Sequence, residues 1–287
     1  METIPNKEGG AVVEEFFLVA DWGSHNYLFV PNVMMSASSI ATPDGSKWNL
    51  SRTRLPDSVE RVIVDSGGFA FFSRWGEYPF SLESYLDLVY YVQDTHPLFR
   101  VATLDYPCEP EIDRSQLMTN EERITKTVSN AVLCVDTDKS LPWLPVIQGY
   151  TIQEYLSCIE QYREAGLESD YWAIGSICSR KGSPYEIRNI VTKIKELHPK
   201  NKLHAFGLSL PYLADLQVFQ SLYSSDSAAW NWGISGVNMR ARKKTAALDY
   251  VDRVSKMIAD FEGQSTLYDH CVSMPAQTPE VCKKEVN

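Results

Sequence analysis

The sequence predicts an α/β protein whose parallel strands close into a (β/α)8 TIM-type barrel, and three observations carry that prediction. Short apolar runs alternate with amphipathic helical stretches, the pattern of strands joined by right-handed crossovers. Eight such runs can be counted, as a barrel requires. Polar groups follow one run after another, as they do at the C-terminal rim of a barrel. An open doubly wound sheet would gather them at one switch point. It would also favour a G-x-G-x-x-G after the first strand, and none is present.

The expected strands cover 16–20, 32–36, 61–64, 100–104, 144–147, 171–174, 202–206 and 222–225. The region 23–57 is interrupted by Pro31, Pro43, Gly45 and Pro56 and is read as long irregular loops. Ser81 opens a helix whose apolar stripe runs through Leu82, Tyr85, Leu86 and Val89. Thr119-x-x-Glu122 and Thr151-x-x-Glu154 are capping-box patterns. The second is followed by Tyr155, Leu156, Ile159 and Tyr162, with Gly166 placed to end the helix. Ser183-Pro184-x-Glu186 adds proline at the first helical position, ahead of Ile187, Ile190, Val191, Ile194 and Leu197. A last amphipathic helix is expected over 246–261, through Leu248, Val251, Val254, Met257, Ile258 and Phe261. The polar stretch from Gln264 onward reads as a tail. The expected organisation is one barrel domain over 11–262 and a C-terminal tail over 263–287.

At 287 residues, 44% of them hydrophobic, the chain has length and core material for one barrel of about 250 residues. No apolar run approaches the roughly 18 residues that span a bilayer, and the first ten residues carry no signal-peptide core. A soluble, cytoplasmic protein with no membrane partner is expected. The six cysteines include no C-x-x-C pair and read mainly as small buried hydrophobes. His270-Cys271 with Cys282 lacks a fourth ligand at a recognisable spacing, so no metal site is assigned. A net charge of −10 argues against non-specific coating of nucleic acid. Local basic patches remain at Arg240, Arg242, Lys243 and Lys244 and at Arg180-Lys181.

The residues at the strand ends carry the chemistry. Val64-Asp65-Ser66-Gly67-Gly68-Phe69 ends a strand in a carboxylate and two glycines, where a flat ligand can lie against bare backbone. Asp105, Gln148 and Asp226 follow other strands in the same way. Among three rim carboxylates, one can attack an electrophilic carbon, one can shuttle a proton and one can grip a hydrogen-bonding ring. A pair of them also suits an oxocarbenium-like centre. Each aspartate alone has an ordinary alternative as the cap of the next helix. Phe69 and Phe206 are placed to sandwich a planar base or to fill core. Gln148 has the donor and acceptor to read a purine edge, and Gly175-Ser176 offers backbone groups beside it.

Six segments in order resemble the tRNA-guanine transglycosylase superfamily, and within it the DpdA-type branch that inserts 7-deazaguanines into DNA. They are Val64–Phe69 as quoted, Leu104-Asp105-Tyr106-Pro107-Cys108-Glu109-Pro110 and Ile147-Gln148-Gly149-Tyr150. The others are Ile174-Gly175-Ser176-Ile177-Cys178-Ser179-Arg180, Leu203-His204-Ala205-Phe206-Gly207 and Ser225-Asp226-Ser227-Ala228-Ala229-Trp230. The resemblance implies a (β/α)8 barrel that exchanges guanine for a 7-deazaguanine such as the 7-cyano derivative, without a cofactor. It implies Asp226 as nucleophile at the sugar C1′ and Asp65 as general acid/base. Asp105, Gln148, Gly149, Gly175 and Ser176 match the base-recognition set, and Phe69 and Phe206 the stacking pair. DNA is the implied macromolecular partner, with room for an accessory protein, and host cytoplasm is the implied location if the source is viral. The tRNA enzymes carry a C-x-C-x-x-C zinc core that this chain lacks, and often Gln where it has Ala70. Cys178 fits the DNA-modifying branch. A tRNA substrate and a non-catalytic deazapurine- or nucleic-acid-binding barrel are the alternatives.

Overall fold

The computed structural model describes residues 13–20, 29–112, 118–180 and 183–273, the last twelve as backbone alone. The strands are β1 (Glu15–Ala20), β2 (Asn32–Ser36), β3 (Arg61–Asp65), β4 (Leu98–Ala102), β5 (Trp143–Leu144), β6 (Val146–Ile147), β7 (Tyr171–Ile174), β8 (Lys202–Ala205) and β9 (Ser224–Ser227). All pair in parallel, in the order β5-β4-β3-β2-β1-β9-β8-β7-β6. The ends of that order, β5 and β6, adjoin in sequence, so the sheet curls into a nearly closed barrel.

The strand expected over 144–147 is thus two strands meeting at Pro145. Proline has no N–H to give a ladder. Its carbonyl still accepts from Ala173, and the Val146 amide turns to the Thr103 hydroxyl at 3.3 Å. Both Leu144 and Val146 thereby pack in the same inner cluster as Tyr171 and Ala173. Phe17, Met34 and Ile63 form a second inner cluster, and Phe99 and Phe206 touch both. The main core lies outside the barrel wall, between strands and helices.

The helices are α1 (Ala37–Ile40), α2 (Gly68–Trp75), α3 (Leu82–Thr95), α4 (Asn120–Thr137), α5 (Ile152–Glu164), α6 (Pro184–Leu197), α7 (Leu210–Leu213), α8 (Leu216–Ser221) and α9 (Met239–Ser273). The Ser81 cap and both expected capping boxes are present. Gly166 takes the left-handed conformation that ends α5. Ser183, however, makes no side-chain cap, and Glu186 pairs with Arg180 instead.

Helix α9 departs most from expectation, starting seven residues before 246 and running twelve beyond 261. Its buried stripe is Ala247, Tyr250 and Val254, while Leu248 is 41% exposed. Three helix tyrosines brace the strand ends. Tyr85 donates to the Ala102 carbonyl, Tyr162 to that of Val146 and Tyr155 to that of Gly175, at 2.7–2.9 Å. Each satisfies a carbonyl near the end of a strand, where the parallel ladder runs out. No helix among the described residues is long and apolar enough to cross a membrane.

Candidate active site

Two adjoining cavities open at the C-terminal end of the strands. The larger, about 680 Å³, is lined by Asp65, Asp226, Ser227, Gly207, Tyr212 and Trp232 among others. The smaller, about 210 Å³, has Asp105, Gln148, Gly175, Ser176 and Glu109 on its walls. Ser36, Asp65, Phe69 and Phe206 line both, so they stand at the junction.

Asp65 reaches the junction because β3 ends there and Gly67 turns the chain at a positive φ of 76°. A Cβ on Gly67 would lie 2.7 Å from the Ser38 amide, so the turn requires glycine. The double glycine is not a free turn, since Gly68 and Phe69 already begin α2. The Asp65 carboxylate accepts from the Gly67 amide at 3.1 Å. Burial, then the neighbouring Asp105 and Asp226 charges, raise its pKa to about 7, against the bond from Ser36.

The smaller cavity is a continuous hydrogen-bonded wall. Asp105 accepts from Ser66 on Oδ1 at 2.6 Å and from the Gln148 amide on Oδ2. The Tyr78 hydroxyl accepts from the Asp105 N–H at 3.1 Å and donates to its carbonyl at 2.8 Å. Burial raises the Asp105 pKa while these donors oppose the rise. Gln148 lies so close to Gly175 that a Cβ there would stand 2.2 Å from its Nε2.

Ser176 adopts a left-handed φ of 50°, uncommon for a residue with a Cβ. Its hydroxyl accepts from the Cys108 amide at 2.8 Å and contacts both Gln148 Oε1 and, at 2.6 Å, Glu109 Oε2. One hydroxyl proton cannot serve two acceptors. The contacts are all satisfied when Glu109 is protonated and donates to Ser176, which then donates to Gln148. Glu109 is 4% exposed, and burial pushes its pKa up to about 7, against the Ser176 bond. Sequence reasoning missed Glu109 as a site residue, although it stands in a quoted segment.

On the other side, Asp226 is the third residue of β9, inside the strand rather than beyond it. Its Oδ1 accepts from the Gly207 amide and contacts His204 Nε2, each at 3.1 Å. Neither bond falls on Oδ2. His204, also unassigned from sequence, is fully buried beneath the larger cavity and carries Phe206 on its ring edge, with centroids 4.9 Å apart. Trp230 ties the segment after β9 to the Val19 carbonyl, and Tyr250 of α9 reaches Ser227 at 3.3 Å.

The remaining expected residues divide. Gly149 lines neither cavity and packs against the first turn of α5, where a Cβ would meet the Tyr155 amide at 2.6 Å. Arg180 is corrected from a surface cation to a buried brace. It pairs with Glu186 at 2.8 Å, bonds the Tyr150 carbonyl and lies 4.1 Å over the Tyr150 ring. Lys181 lies outside the described residues, as do Cys282 and the side chains of His270 and Cys271. Arg240, Arg242 and Lys244 are exposed on the first turns of α9, whereas Lys243 is buried. Cys108, Cys134 and Cys158 are buried thiols, and Cys178 lines the larger cavity. No three His, Cys, Asp or Glu side chains converge as a metal site among the described residues.

The family model described as DpdA, DeoxyPurine in DNA protein A, matches residues 42–255, three quarters of the chain, and the chain belongs to that family. No curated protein matches it. Membership points to deazapurine modification of DNA by a transglycosylase-type enzyme, in agreement with the resemblance carried by the six segments.

Proposed function

We propose, from that family membership and this geometry, that the protein replaces guanine in DNA by a 7-deazaguanine through a covalent aspartyl–nucleotide intermediate. The observation that carries the reading is the division of the mouth. A nucleophile candidate lines the larger compartment, a polar wall of purine-reading groups lines the smaller, and a carboxyl group titrating near neutrality joins them.

The target nucleotide leaves its stack to enter such a mouth. Its base enters the smaller compartment between Phe69 and Phe206, against Asp105, Gln148 and the Gly175–Ser176 backbone. Its sugar lies in the larger compartment over Asp226. A lone pair on Asp226 Oδ2 forms the bond to C1′ as the C1′–N9 bond breaks, and the departing guanine takes the proton of Asp65. The incoming 7-deazaguanine then gives its N9 proton to Asp65. Its N9 attacks C1′, and the ester bond breaks to return the Asp226 carboxylate. Asp65 ends as it began, which suits a group whose acid and base forms coexist near pH 7. The covalent bond holds the activated sugar while one base leaves and another enters. Arg240, Arg242 and Lys244, exposed on the first turns of α9 where the helix N-terminus favours anions, are assigned to the DNA phosphates.

The test is incubation with isotopically labelled 7-cyano-7-deazaguanine or guanine and either duplex DNA or tRNA, followed by nucleoside mass spectrometry. Label in DNA with guanine released is expected, and none with Asp226→Asn. Label in tRNA alone would reject DNA as the substrate. Full exchange by Asp226→Asn would reject the nucleophile.

A further inference from the structure

Beneath Asp226 a chain of buried polar groups runs into the barrel interior. His204 Nδ1 contacts Ser224 Oγ at 2.6 Å, and Ser224 Oγ in turn contacts the Tyr171 hydroxyl. His204 and Ser224 are completely buried and Tyr171 is 1% exposed. The pieces come from adjacent strands β7, β8 and β9. The sequence Ser224–His204–Asp226 has the members of a hydrolytic triad, but the order relative to the cavity is inverted. Asp226 meets the cavity, and neither His204 nor Ser224 lines it. The serine is therefore no nucleophile.

Proton counting sets the direction of the chain. A carboxylate oxygen has no proton to give, so Asp226 Oδ1, which already accepts the Gly207 N–H, is an acceptor toward His204 as well. Nε2 must then carry a proton. Tyr171 has no hydroxyl contact other than Ser224 among the described residues. Were Ser224 to donate to Tyr171, the phenol proton would be buried with no acceptor, an arrangement folded proteins avoid. Tyr171 therefore donates to Ser224, Ser224 to Nδ1, and Nε2–H to Asp226. Every donor is used once, and Nδ1 is left as an acceptor.

We infer that His204 is a positioning residue for the nucleophile, held in its Nε2–H tautomer by the Tyr171–Ser224 pair so that Asp226 attacks through Oδ2. The inference rests on the nucleophile reading given above. Two fixed donors on Oδ1 orient the carboxylate plane and leave the lone pairs of Oδ2 for C1′. When the ester forms on Oδ2, the same donors stay on the carbonyl oxygen. They then favour return of the electron pair to the carboxylate as the ester breaks. Which ring nitrogen bears the proton is set by what the other contacts, and here that contact is supplied wholly by buried neighbours.

The test compares exchange kinetics of His204→Ala, His204→Gln and Ser224→Ala with the full-length wild type, alongside 15N NMR of the imidazole. Removal of the imidazole is expected to lower kcat about 30- to 300-fold with KM for base and DNA within about threefold. The glutamine variant, whose amide replaces Nε2–H, should recover at least tenfold of that loss, whereas a merely structural role gives no such recovery. Ser224→Ala should cost less, about 3- to 10-fold in kcat. The wild-type spectrum should show the proton on Nε2, a readout that stands even if His204→Ala fails to fold. Wild-type kcat in a folded His204→Ala protein, no recovery in a folded His204→Gln protein, or a proton on Nδ1 would each overturn the inference. Exchange retained in Asp226→Asn would instead remove the nucleophile reading on which it rests.

Discussion

In the smaller compartment Asp105 accepts from Ser66 and Gln148 on separate oxygens, whereas in the larger compartment Asp226 accepts from His204 and Gly207 on one oxygen alone. The difference is in what each carboxylate is left able to do. Asp105 is one link in a wall that continues through Gln148 and Ser176 to Glu109, and a wall whose donors and acceptors are fixed can read the edge of a flat ring. Asp226 is held at Oδ1, and the proposed attack falls to Oδ2. In the proposed reaction, recognition is served by engaging both oxygens and nucleophilic attack by sparing one. Asp65, lining both compartments, belongs to neither pattern and is tuned by desolvation and by the two neighbouring charges.

Substituting the residue at the junction should have the largest effect. Asp65→Asn removes the proposed proton shuttle and is expected to lower exchange by about 10²–10⁴-fold, with both compartments intact and free-base affinity little changed. It should also stabilise the protein in alkali. The native carboxyl binds its proton up to about pH 7, while the unfolded one releases it near 3.8. The native state therefore binds more protons between those values, and stability falls as pH rises through them. Asparagine escapes that fall. Its Tm should exceed the wild type by about 2–5 °C at pH 8 and match it near pH 4, as read by calorimetry. An equal gain at both pH values would show that Asp65 carries no such penalty.

Breaking the recognition wall alone should separate the two compartments. Gly175→Ala places a methyl group where Gln148 Nε2 now lies, 2.2 Å from the new carbon. Gln148 must move, and its bonds to Asp105 and Ser176 go with it. Free-base affinity should fall by about 10- to 100-fold, the loss of one or two hydrogen bonds to polar partners. Accumulation of the Asp226 adduct on DNA, read after denaturing electrophoresis, should change less than the affinity for incoming base. Equal losses in both would mean that the compartments act as one.

The parts of this arrangement differ in how far they could be read from sequence. Asp65, Gln148 and Asp226 end or close apolar runs, and a parallel barrel delivers such residues to one rim whatever its loops do. The capping boxes at Thr119 and Thr151 are local, and both formed. Ser183 carried the same local pattern, but Glu186 was taken by Arg180, a tertiary pairing that no local pattern contains. Arg180 itself read as part of a surface patch because its fate depends on Tyr150, thirty residues away. Pro145 was visible within an expected strand, and the ladder rule for proline was sufficient to split it.

His204 had a usable sign as well. It lies two residues before Phe206, and Ser224 two before Asp226, so strand alternation puts each on the same face as its site residue, one step deeper. Glu109 had none. It follows Asp105 by four residues through an irregular segment, and its position depends on a serine on the far side of the cavity.

The smallest expected effect is at Glu109, and it tests whether the wall works because of its proton. Glutamine keeps the size and offers an N–H to Ser176 at every pH, as the protonated acid does only below about pH 7. At pH 6 the Glu109→Gln variant should exchange bases within about threefold of wild type. Above pH 7 the native Glu109 ionises and stops donating, so Ser176 must abandon Gln148 to serve the carboxylate. Wild-type affinity for the free base should therefore decline between pH 7 and pH 8.5, measured by calorimetry, while the variant holds its value. The stability curves should diverge in the same sense. The unfolded carboxyl releases its proton near 4.5 and the native one near 7, so wild type loses stability across that interval. The variant should be more stable by about 1–3 kcal/mol at pH 8. A wild-type affinity that stays flat through pH 8.5 would place the proton elsewhere in the wall, on Asp105 or on none, and the donor order from Glu109 through Ser176 to Gln148 would have to be reversed.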